Sequence, residues 1–253
     1  MKPLEVQAST ACFPGHGFLE AARRLRTGVS EPLLGRLGMQ HCQLCPQNFG
    51  IVDEKLAGLL KERFPATRFR LHANVRVFQR VYRFSAADFN CHTAFYFERL
   101  AEVSSALGAP AYSLHAGRSV CSLEDLRRKV AAIEEMFDIP VAIEGHYPTS
   151  GWPWLLSGWD DYRWLFDSGL RYALDLSHLN ILAARSGRRE ADLVVRLLSS
   201  PRCLEIHVSG NDGRRDLHRP LLEAPWWWLL LEHRNPDAVV FSEGNRLAHR
   251  REA

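Results

Sequence analysis

The chain has 253 residues, 46% of them hydrophobic and 24% charged, and a formal net charge of +3. That apolar content suits one sizeable core and excludes a disordered chain, while the small net charge argues against a protein that tracks phosphate backbones through dense Lys/Arg. No apolar run reaches the roughly 18 residues of a membrane span, and Met1-Lys2-Pro3-Leu4-Glu5 lacks the apolar stretch of a signal peptide. Cys12, Cys42, Cys45, Cys91, Cys121 and Cys203 are too scattered for a disulfide framework, so a reduced, cytoplasmic protein is expected.

Short apolar runs alternate with longer amphipathic stretches. Strands are predicted over 4–9, 38–45, 69–73, 110–115, 140–144, 171–175, 204–208 and 238–242. Helices are predicted over 52–63, 86–107, 122–137, 159–168, 190–198 and 225–232. Ser122 followed by Asp125 gives the third of these a capping-box start, and Pro225 suits the first turn of the last. Residues 13–17 read as a Gly/Pro-rich loop, and 249–253 as a charged, solvated tail. Eight strands alternating with helices imply parallel pairing through crossovers. Eight such units close into a (β/α)8 TIM barrel, an α/β fold occupying 1–253 as a single domain.

The chemistry is concentrated at the C-terminal ends of these strands. His72 follows the third, His115 ends the fourth, Glu144 the fifth, and Asp175 with His178 the sixth. His207 lies on the seventh, whose polar loop carries Asp216 and His218, and Glu243 follows the eighth. A lone strand-end His is usually a satisfied hydrogen-bonding residue, and a lone Asp or Glu often caps the next helix. Independent local roles do not place a ligand type after every strand from the third to the eighth. Four carboxylates in one barrel mouth would repel and protonate unless cations neutralise them. Five imidazoles mixed with them suit zinc, iron or manganese, and nine donors exceed the needs of one ion. Two or three ions sharing a bridging carboxylate fit better, with Glu144 or Glu243 the natural bridge and the candidate catalytic residues.

Other motifs rank lower. His41-Cys42-x-x-Cys45 lacks a second pair at zinc-finger spacing, which leaves buried strand cysteines as the first reading and a redox or auxiliary-ligand role as the second. Asp175, Ser177 and His178 imitate a hydrolase triad in composition, but no GxSxG elbow accompanies them. His16, His92, His146, His233 and His249 read as surface or supporting groups, with His146 able to point into the mouth. The Trp226-Trp227-Trp228 run reads as helix–barrel packing. Trp152, Asn211, Arg214 and Arg215 are the candidate substrate contacts.

With these residues in hand, the chain resembles the xylose-isomerase-like TIM-barrel superfamily from about residue 70 to 245. The order His72, His115, Glu144, Asp175-x-x-His178, His207, Asp216-x-His218, Glu243 is similar to the tri-zinc set of endonuclease IV. Glu205-Ile206-His207-Val208-Ser209-Gly210, the short step to Asp216-x-His218-x-Pro220, and Leu174-Asp175-Leu176-Ser177-His178 look more like the multinuclear non-heme iron-dependent oxidative enzymes, the methanobactin-oxidase-like family. The Glu-Asn pair frequent after that family's fifth strand is Glu144-Gly145 here. The resemblance implies two or three iron ions among the nine ligands. It implies O2 as co-substrate and a residue, Cys above all, of a ribosomally made peptide as the target, and it leaves room for a partner protein that presents the peptide. Two alternatives stay open: a zinc phosphodiesterase acting on abasic DNA, and a sugar isomerase or epimerase using a single Mn or Mg. Membrane partners are not expected, and the charge argues against nucleic acid.

Overall fold

The computed structural model describes residues 4–246; the tail at 249–253, expected to be solvated, lies outside them. Strand β1 (Val6–Ser9) leads through a loop to helix α1 (Phe18–Arg26), which buries Phe18, Ala21, Ala22 and Leu25 at helical spacing. A two-stranded hairpin, β2 (Ser30–Glu31) and β3 (Gly35–Arg36), precedes β4 (Gly38–Leu44) and α2 (Glu54–Arg63). Then follow β5 (Arg68–Leu71), α3 (Ala94–Leu107), β6 (Tyr112–His115), α4 (Leu123–Phe137) and β7 (Val141–Glu144). The second half continues with α5 (Trp159–Asp167), β8 (Tyr172–Asp175), α6 (Leu176–Ser186), α7 (Ala191–Ser199), β9 (Cys203–Val208) and β10 (Val239–Ser242).

All strands but β2 and β3 form one parallel sheet in the order β5-β4-β1-β10-β9-β8-β7-β6, nearly closed into a (β/α)8 TIM barrel. Among the described residues no backbone hydrogen bond joins β5 to β6, so the ring has a seam there. The register levels the strand ends, with His115 opposite Glu144 and Asp175 opposite His207. The apolar core lies between barrel and helices. Helix α4 shows why: Leu126, Val130, Ile133 and Phe137 share one buried face, the Ser122–Asp125 capping box starts the helix, and left-handed Asp138 ends it.

All eight predicted barrel strands are present. Two predicted helices need correction, and two helices lie where none was predicted. The stretch after the 13–17 loop is helical as α1, although Gly17 at its N-cap offers no side-chain bond to announce it. The helix expected from residue 86 begins at Ala94, because Ser85 and Asp88 close a separate capped 3-10 turn at Ala86–Asp88. Helix α6 starts directly at the end of β8, since Asp175 ends the strand and also caps the helix, accepting from Ser177 N–H at 2.7 Å and His178 N–H at 3.2 Å. The expected helix over 225–232 is a 3-10 segment, Trp228–His233.

Candidate metal centre

Side chains two apart on a strand point the same way, so each barrel strand supplies stacked inward positions. The upper positions are His72, His115, Glu144, Asp175, His207 and Glu243, joined from outside the sheet by His178, Asp216 and His218. All nine meet in one network. Glu144 Oε2 lies 3.4 Å from His72 Nε2, 3.4 Å from His207 Nδ1 and 3.8 Å from His115 Nε2, while its Oε1 is 3.8 Å from His178 Nδ1. Glu243 Oε1 is 3.4 Å from His72 Nε2 and 3.8 Å from His207 Nδ1. Its Oε2 is 3.4 Å from His218 Nδ1. His178 Nε2 lies 3.2 Å from Asp175 Oδ2 and 3.4 Å from Asp216 Oδ2, which is 3.0 Å from His218 Nε2.

Three overlapping triads have the spacing of cation sites: His72/His115/Glu144, His72/His207/Glu243 and Glu144/Asp175/His178. Donors each about 2.1 Å from a first-row metal sit roughly 3 to 3.5 Å apart, and the donor atoms of each triad lie within 4.8 Å of one another. The donor set fits for a second reason. Glu144 Oε2, His207 Nδ1, Asp216 Oδ1 and His218 Nδ1 are buried without a hydrogen-bond partner. Buried polar atoms facing one another and left open by the protein are the mark of groups completed from outside.

Three of the candidate rings are held from behind. His178 Nδ1 lies 2.9 Å from the Gly145 carbonyl and His72 Nδ1 3.2 Å from the Ala73 carbonyl. Asn74 reaches His115 Nδ1 at 3.2 Å. Gly145 cannot be the Asn of the resembled family, because a Cβ there would lie 2.4 Å from the Tyr162 hydroxyl oxygen. His218 holds a left-handed backbone, φ 47°, fixed on both sides by the Gly210–Arg219 backbone pair and by Asn245 N–H donating to the His218 carbonyl at 2.6 Å. Non-glycine residues in that region cost energy, and such strain gathers at functional sites.

Charge in the mouth is tightly shared. Burial alone would push Glu144 and Glu243 up, but His207 and His72 hold both carboxylates below the usual range, with His115 adding to this at Glu144 and His218 at Glu243. Burial raises Asp175 to about 6 against the pull of His178, with Asp216, Glu243 and Glu144 adding to the rise. Burial would lower His178, yet Asp175 and Asp216 raise it to about 10. Burial dominates at His115, which falls to about 4. The carboxylates and imidazoles thus balance one another by sharing protons, as His178 does between Asp175 and Asp216.

Above the donors opens a cavity of about 220 Å³ walled by Pro46, Gln47, His146, Tyr147, Thr149 and Trp154. The Trp154 ring packs on His146, centroids 4.3 Å apart. The predicted substrate contacts stand outside this cavity. Trp152 is exposed on the rim under the Arg118 guanidinium, 4.0 Å above its ring, and Arg214 and Arg215 are exposed. Asn211 ties the ligand-bearing loop to α6 through Asn180 and the Ser177 carbonyl and borders a separate cavity of about 290 Å³ that holds none of the nine donors. Cys42 and Cys45 are buried, and burial pushes both thiols up, away from the thiolate that redox chemistry needs.

Beneath the donors lies a layer that was not singled out in the sequence. Arg70 Nη1 pairs with Glu205 Oε1 at 2.6 Å, and Gln43 Nε2 donates to Glu205 Oε2 at 3.0 Å and to Ser113 Oγ at 3.2 Å. The signal was available: Arg70, Ser113 and Glu205 each stand two residues before a candidate histidine, at or just before a strand end.

No protein-family model matches the chain, and no curated protein matches it. Solved structures do. A D-tagatose 3-epimerase-like protein superimposes with a TM-score of 0.66 at 14% identity, covering 98% of this chain and 94% of that one. A xylose isomerase domain containing protein from Salmonella typhimurium gives 0.63 at 12% identity, with 98% and 93% covered. A family 2 AP endonuclease from Brucella melitensis gives 0.55 at 14%, with 95% and 93% covered. The chain therefore has the fold of the xylose-isomerase-like TIM barrels. Among the described residues no helix is long and apolar enough to cross a membrane.

Proposed function

We propose that the chain is a multinuclear metalloenzyme that uses iron and O2 to oxidise a residue, Cys above all, of a ribosomally made peptide. The observation that carries the multinuclear part is the single network of nine donors around Glu144 and Glu243, more than one ion can use. Glu144 and Glu243 would bridge, because each faces imidazoles on two sides. His72, His115 and Glu144, then His72, His207 and Glu243, then Glu144, Asp175 and His178 would hold the ions in three overlapping sets, with Asp216 and His218 beside them. Bound iron would supply redox chemistry with O2 as oxidant. The protein's part is to fix the donors, to wall the cavity with Trp154, Tyr147 and His146 against bulk water, and to admit one side chain into about 220 Å³. The short step from His207 to Asp216, the aromatic wall and the low net charge favour a peptide over a DNA duplex.

A second reading, sugar epimerase, is favoured by the likeness to the D-tagatose 3-epimerase-like protein and by a cavity that also suits a monosaccharide. The deciding measurement is metal content after anaerobic purification, followed by O2 uptake with Fe(II) and a Cys-containing precursor peptide. Two or more irons per chain with peptide-dependent O2 uptake is the expected result. One Mn or Mg per chain, or zinc-dependent cleavage of abasic DNA lost in Glu243→Gln, would overturn it.

A further inference from the structure

His218 faces carboxylates with both nitrogens, Nε2 to Asp216 and Nδ1 to Glu243, whereas other imidazoles in the mouth have one nitrogen held from behind. His72 and His178 turn Nδ1 to a backbone carbonyl. His207 is built the other way round. Its Nε2 points down into the barrel, 3.1 Å from Glu205 Oε2, and its Nδ1 points up, buried without a partner between Glu144 and Glu243.

Glu205 and His207 are both fully buried and two residues apart on β9. Glu205 cannot swing away. One carboxylate oxygen is taken by Arg70 at 2.6 Å, and the other accepts from Gln43 at 3.0 Å. Gln43 is fixed in turn on Ser113. Arg70 is buried as well, with its guanidinium 5.3 Å over the Phe241 ring and Nη2 3.0 Å from His41 Nδ1. An ion-paired carboxylate only accepts hydrogen bonds, so the proton of neutral His207 must sit on Nε2. Gln43 Nε2, also 3.1 Å from His207 Nε2, is itself a donor and cannot take that proton.

We propose that Glu205 is a positioning residue of the centre: held by Arg70 and Gln43, it fixes His207 in the Nε2–H form and leaves Nδ1 as the only nitrogen His207 can offer a cation. A carboxylate behind an imidazole also makes it a stronger donor than a carbonyl does. A cation held by His207 with His72 and Glu243 would then be the one most sensitive to what lies beneath it. The inference rests on the metal-holding part of the reading above, and not on iron, O2 or a peptide.

Zinc is the probe, since it is diamagnetic and needs no substrate. Long-range proton–nitrogen NMR of the zinc-loaded, nitrogen-15-labelled protein should show His207 protonated at Nε2 and bound through Nδ1. Zinc affinity, measured against a chelator, should fall about 10- to 100-fold in Glu205→Gln, the range found when such supporting partners are removed. Glu205→Gln strands Arg70 in the interior, so the uncharged pair Arg70→Met/Glu205→Gln is measured beside it and should show the same loss while remaining folded. His207 bound through Nε2 would overturn the proposal. So would wild-type zinc affinity in the paired variant, even with a lowered melting temperature. A wild-type protein that takes up no zinc and no other divalent metal would remove the metal reading and this inference together. Peptide oxidation could fail as a function while both NMR and affinity results stand.

Discussion

Two layers of side chains fill the barrel, one above the other along the same strands, and both are polar. In the lower layer Arg70, Glu205, Gln43 and Ser113 complete one another, and Arg70 Nε is the one side-chain polar atom of these four left without a partner. In the upper layer Glu144, His207, Asp216 and His218 each keep a buried atom open. Burial costs are similar in both places, because both are removed from water. The lower layer meets them with protein groups, and the upper one leaves buried atoms open that a bound cation would complete.

The sharpest way to break the comparison is to make the lower layer behave like the upper one. Arg70→Met leaves Glu205 buried and uncompensated and should cost about 3–5 kcal/mol in denaturant unfolding, with most of it recovered in Arg70→Met/Glu205→Gln. A loss below about 1 kcal/mol would show the pair to be dispensable. The next effect belongs to the upper layer. A cation at 100 times its Kd should stabilise the fold by about 2.7 kcal/mol, read as a drop in melting temperature when chelator is added.

Acidity sharpens the same point. With its pKa raised to about 10, His178 is protonated at neutral pH, so a cation taking its place must displace that proton. Metal affinity should therefore rise with pH up to about 10, about tenfold per unit for each proton displaced, and indicator dye should record proton release on loading. Glu144→Gln should abolish loading of the ions that share that carboxylate, and it should also destabilise the metal-free protein, because His207, His72 and His115 lose the buried carboxylate they pair with. The smallest effect is on the rim. Trp152→Ala should stay within about 0.5 kcal/mol, because Trp152 is 54% exposed.

The barrel and the nine donors were legible for one physical reason. Alternating strands and helices admit few topologies, and all nine donors lie at or after strand ends, where a parallel barrel gathers side chains. His178 was within reach because Asp175-x-x-His178 places it one helical turn beyond a strand end. The role of Glu205 was harder to read, because it sits inside an apolar run that reads as buried strand and its partner, Arg70, is 135 positions away. Helix α1 was hidden by its start at Gly17, and α6 by the double duty of Asp175. The candidate contacts Trp152, Arg214 and Arg215 were chosen by residue type on the right loops, but which way a loop side chain turns depends on its neighbours and not on its position in the chain.

The seam between β5 and β6 gives the centre a mechanical side. His72 follows one of these strands and His115 ends the other, with their rings 5.3 Å apart. A cation gripping both would act as a rivet across a joint that the backbone leaves unfastened. Hydrogen exchange at the facing edges of Arg68–Leu71 and Tyr112–His115 should then slow on metal loading more than anywhere else in the sheet, coupling the stiffness of the wall to the occupancy of its mouth.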